Sequence, residues 1–146
     1  MPMKPGTLLA SVGLVMVAAA PIVAHHAFGG EFDPSRPVLL KGKVTKVEWV
    51  NPHAWIHVEV RKPDGTKEVW MIEGGSPNSL LRRGVTRESL LVGTQVVVDG
   101  YQARDHTTRA NGRNVTFADG RKLFLGSSGT GAPSDGADPT EPARGR

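Results

Sequence analysis

Two adjacent histidines, His25 and His26, and a second pair four residues apart, His53 and His57 in "NPHAWIH", supply four of the five imidazoles in the chain. The sequence has no cysteine, so imidazole is the donor on which a transition-metal site would have to draw. If processing makes His25 the first residue, its free α-amine and its imidazole form a bidentate chelate. A third nitrogen from His53 would complete a set suited to Cu(II) or a similar divalent metal, with His26 and His57 as auxiliary donors. His57 is expected on the same strand face as His53, four residues along and so roughly 13 Å away by strand rise. The plainer alternative is that His25 and His26 belong to a polar arm and that His53 and His57 cover the outside of a sheet.

Whether His25 leads the chain depends on what precedes it. "MPMKPGT" carries the single cation Lys4, and "LLASVGLVMVAAA" follows as an unbroken run of apolar and small residues. Such a run is too short for a bilayer core, which needs about 20 apolar residues. Pro21 breaks it, and Ala24 offers a small residue for a peptidase to cut behind. Residues 1–24 therefore read as a secretory signal peptide, with an uncleaved anchor as the weaker alternative. The mature protein is expected to be periplasmic or secreted, with no membrane span after cleavage.

The elements that must position these histidines are strands. In "VLLKGKVTKVEWV", Leu40, Gly42 and Val44 share one face, whereas Val47 and Trp49 fall out of phase, which predicts a bulge near Thr45 or Lys46. In "HAWIHVEV", Ala54, Ile56, Val58 and Val60 form the core face and His53, Trp55, His57 and Glu59 the other. "KPDG" turns into a third strand, "KEVWMIE". Ser76-Pro77 then starts a helix, with Leu80 and Leu81 on its buried side and Gly84 as its stop. Thr86 caps a further short turn. Strands resume at "TQVVVDGYQA", at "NVTF" beyond the loop "RDHTTRANGR", and at "RKLFL". Three strands, a helix and two or three strands predict a mainly β fold: a small OB-fold-like, partly open barrel of five to six strands, with one short helix between strands three and four. An open α+β sheet is the alternative.

The expected organisation is a signal peptide over 1–24, an N-terminal arm over 25–37, the β domain over 38–125 and a tail over 126–146. The tail is rich in Gly, Pro, Ser and Asp and has no aliphatic residue larger than Ala, so it is expected to be disordered.

At +4 the net charge is far below that of a dedicated nucleic-acid binder, and an exported protein meets little nucleic acid. No nucleophile elbow, phosphate loop, dinucleotide fingerprint or H-E-x-x-H is present, which argues against an enzyme. "GSSGTG" lies in the tail rather than between a strand and a helix.

Taken together, "AHHAF…EFD", "NPHAWI", "GSPNSLLRRG" and "GRKLF" resemble a DUF6152-like family of short exported bacterial proteins classed as a domain of unknown function. The likeness runs from about Ala24 to Leu125. It implies export and a small β-rich domain, and no established activity.

Two functions of different class follow. One is a non-enzymatic binding protein holding copper through His25, His26, His53 and His57. The other is a metal-free interaction module. It would dock an unknown periplasmic protein or an anionic ligand such as a glycan on Trp55 and Glu59, with Arg104, Arg109 and Arg113 from the loop between strands four and five.

Overall fold

A computed structural model describes residues 28–140. The expected signal peptide, the His25–His26 pair and the last six residues lie outside this range. Six strands form the body: β1 (Phe32–Glu48), β2 (Trp55–Arg61), β3 (Lys67–Glu73), β4 (Gln95–Ala103), β5 (Arg109–Phe117) and β6 (Lys122–Phe124). A short helix α1 (Phe28–Glu31) precedes them, and α2 (Pro77–Arg82) with a 3-10 turn (Glu88–Leu90) joins β3 to β4. None of the described helices is long and apolar enough to cross a membrane.

The strand order is β3-β2-β1-β4-β5-β6, and β3 also pairs with β5 in parallel through Met71↔Arg109, Ile72↔Ala110 and Glu73↔Asn111. That last pairing closes five strands into a ring and leaves β6 on the outside of β5, giving the expected partly open, OB-like barrel. The long first strand serves both halves. Its early part pairs with β4 and its later part with β2, and the register slips between Val44 and Lys46, where the phase change predicted a bulge.

Alternation fills the barrel. Leu40, Val44, Ala54, Ile56, Val58, Trp70, Ile72, Val96, Val98, Val115 and Leu125 are all buried in one core. Burying each larger aliphatic contributes about 1.5–3 kcal/mol. Ser76 caps α2 as expected, its Oγ accepting the Ser79 N–H (3.3 Å), and Gly84 ends it at φ +86°. Of the two leucines expected on the buried side of α2, Leu80 is fully buried while Leu81 is exposed. One turn and a half of helix presents a single side chain to the core, and Leu80 takes that place.

Two boundaries differ from the sequence pattern. The first strand starts at Phe32 rather than Val38, because Phe28, Phe32 and Ala103 form a second small core against Tyr101. The fifth strand starts at Arg109, inside the expected loop. "RANGR" does not alternate, since it is paired on both sides, with β4 and with β3. Beyond Leu125 the described chain to residue 140 runs without helix or strand and lies on the barrel, with Ala132 against the Phe28 cluster and Asp138 buried.

Candidate functional site

The spacing in "NPHAWIH" does not bring its two imidazoles together. His57 stands on β2 and leans toward β1, where its Nε2 donates to Glu48 Oε2 (2.8 Å). His53 precedes β2 and leans toward the chain after β3. Its backbone neighbour Ala54 extends the pairing there, with Ala54 N–H donating to Gly75 O (3.0 Å) and Gly74 N–H to Ala54 O (2.9 Å). His53 Nδ1 lies 3.3 Å from Gly74 O, 3.2 Å from Ser127 Oγ and 3.7 Å from Glu73 Oε1. A carbonyl can only accept, so the bond to Gly74 needs the proton on Nδ1 and leaves a lone pair on Nε2.

His53 lines an open cavity of about 240 Å³ with Pro52, Ser76, Ser79 and Arg83. Its far wall is the start of the tail, Ser127, Ser128 and Thr130. Arg83 is fixed there: Nη1 donates to Gly126 O (2.5 Å), Nη2 donates to Ser128 Oγ (2.7 Å), and the guanidinium sits 4.6 Å from the centroid of the Phe124 ring. Burial pulls the Arg83 guanidinium below its usual pKa, with Asp138 opposing the shift and Arg82 adding to it. Phe28 reaches the same region, its N–H donating to Thr130 O (3.0 Å). Among the described residues, no three His, Asp or Glu side chains converge as a metal site.

The expected docking residues separate into three situations. Trp55 and Arg109 come together on the outer face, the guanidinium carbon 5.4 Å from the indole centroid, with Arg109 Nη2 3.9 Å from Glu31 Oε2. Glu59 faces outward between Lys43 (3.6 Å) and Lys67 (3.0 Å). The hydrogen bond from Lys67 leads the effects that hold its carboxyl below the usual value. Arg104 Nε donates to Gly29 O (2.7 Å), tying the β4–β5 loop to α1.

Arg113 is a correction. Its side chain is only 3% exposed, packed 5.0 Å from the Phe124 centroid with Nη2 donating to Asp135 Oδ1 (3.0 Å), so it does not belong to a docking surface. It sits on a strand rather than a loop, and the tail covers it. The cavity residues Ser76, Ser79, Arg83, Ser127 and Thr130 were not singled out as a site by the sequence pattern. Ser76 read as a helix cap, while "GSSGTG" read as part of the tail. Nothing local marks residues that meet only because the chain returns over α2.

No curated protein and no solved structure is significantly similar to this chain. One family model, described as a family of unknown function (DUF6152), matches residues 12–112. That match spans more than two thirds of the sequence and includes "AHHAF", "NPHAWI" and "GSPNSLLRRG", and the chain is a member of the DUF6152 family.

Proposed function

We propose that this protein is an exported, periplasmic or secreted, non-enzymatic binding protein that holds Cu(II) or a similar divalent metal between its N-terminal histidines and His53. The observation that carries this reading is the anchoring of Phe28 on Thr130, a residue that lines the same cavity as His53. Three peptide steps separate His25 from Phe28, and a chain spans at most about 3.6 Å per residue, so the linkage allows no more than about 11 Å between the two. His53 supports the reading from the other side, because a ligand imidazole commonly donates its second nitrogen to a carbonyl, as Nδ1 does to Gly74. His26, next to His25 in sequence, would serve as an auxiliary donor. His57, engaged with Glu48, contributes least.

The test is a Cu(II) titration of protein exported and processed by its own signal peptide, followed by electron paramagnetic resonance. A stoichiometric signal with nitrogen hyperfine structure is expected. It is lost in His53→Ala, and also when one residue is added before His25, which removes the amine–imidazole chelate. Absence of tight stoichiometric binding rules the metal reading out.

A second reading, docking of a protein or glycan partner on the outer face, is favoured by the pairing of Arg109 with Trp55. An aromatic face and a cation held together in a partly exposed position suit recognition of an amphipathic or anionic surface. Binding of this kind survives metal chelators and fails in Trp55→Ala.

A further inference from the structure

The His53 cavity carries a second chemistry that does not depend on a metal. Its one full charge is Arg83, and hydroxyl groups make up most of the rest; among the described residues, no carboxylate lines it. A guanidinium has five N–H donors, and the bonds to Gly126 O and Ser128 Oγ use two of them. Ser79 Oγ accepts from the Ser76 hydroxyl (3.0 Å) and from Arg82 Nη2 (3.4 Å), which leaves its own proton to donate. With His53 Nδ1 protonated, Ser127 Oγ is an acceptor at 3.2 Å and likewise keeps a proton to donate. Donors therefore come from α2 with its C-cap Arg83 and from the tail, two segments of the chain facing one space.

From this arrangement we infer that the cavity binds a small tetrahedral oxyanion, a phosphate group, with Arg83 as its charge partner and the Ser79 and Ser127 hydroxyls as donors. Donors arriving from several directions suit a tetrahedral anion better than a planar carboxylate. The volume, about 240 Å³, holds one such group and its water but not a polymer. The open side leaves room for the group to be free phosphate or the end of a phosphomonoester.

The experiment is a titration of the full processed chain, with a chelator present, using inorganic phosphate, phenyl phosphate and acetate in turn. The readout is the backbone amide and arginine side-chain NMR spectrum. Saturable shifts at Ser79, Arg83 and Ser127 with either phosphate, and little response to acetate, are the expected result. Response to both phosphates assigns an open phosphate site, and response to inorganic phosphate alone assigns a closed one. Arg83→Gln weakens binding at least tenfold. Because Arg83 also holds Gly126 and Ser128, Ser79→Ala serves as a second variant and weakens binding several-fold with unchanged melting temperature. A Lys41→Gln control, which lines a different cavity with Lys43 and Arg61, leaves it unchanged. Shifts confined to Lys41, Lys43 and Arg61, equal shifts with acetate, or no saturation with either phosphate would each overturn the assignment. Chelation keeps the outcome separate from any failure of copper binding.

Discussion

His57 Nε2 and Glu48 Oε2 lie 2.8 Å apart across the β1–β2 pair, and Lys46 Nζ lies 2.8 Å from the other oxygen of the same carboxylate. Glu48 is thus bracketed by a lysine two residues before it and a histidine on the next strand.

The Glu48 carboxyl is expected to titrate below the ordinary 4.5, because Lys46 first and His57 second donate to its ionised form. Lys46→Gln moves the midpoint up further than His57→Gln does. Carbon-detected NMR of the Glu48 side chain between pH 2 and about 6 reads both shifts.

Asp135 gives the tail a measurable role. Burial raises its carboxyl pKa, but the Ala137 N–H and Arg113 outweigh that and hold it below the usual value. A depressed folded pKa means stability that is present above the unfolded value and lost as pH falls through the folded one. Thermal melts from neutral pH to about 3 are expected to fall more steeply for the native chain than for Asp135→Asn. At neutral pH that variant costs about 1.5 kcal/mol, the low end for a bond to a charged group, since Asp135 is about one-third exposed.

Gly42 sits where β1 crosses closest to β2. A Cβ there would collide with the backbone carbonyl of Glu59, which cannot yield cheaply, and press on the Val58 side chain at Cγ1. Gly42→Ala is expected to destabilise the barrel by about 1–3 kcal/mol in urea unfolding, whereas the same change at the open Gly30 has almost no effect.

Ser76→Ala removes the cap of α2 and with it the acceptor for Ser79 N–H. The expected loss is about 1 kcal/mol, read by thermal unfolding. Ser76→Asp recovers most of it, which a general packing defect would not allow.

The barrel was legible because its signals are local: alternation in "HAWIHVEV", the phase change at Thr45, the glycine turn at Gly65, and the Ser76-Pro77 start of α2. The start of β5 was not, because "RANGR" is paired on both edges and shows no period of two. Arg113 read as surface for the same reason, since composition cannot reveal an arginine covered by a tail more than twenty residues later. The His53 cavity is the furthest from local pattern. Its walls come from residues 52–53, 76–83 and 127–130, and only the closed barrel brings those three stretches together.

The β3–β5 pairing and the fully buried Leu125 also set an order of events for the chain. Contacts between Ile72 and Ala110 span a long stretch of sequence, and such contacts form late because loop closure precedes any gain from them. A nascent chain that has emerged only to β4 has no partner for the free edge of β3 and cannot complete its core. The barrel is therefore a fold that closes only with its fifth strand, and truncation before Arg109 yields an unclosed sheet rather than a smaller barrel.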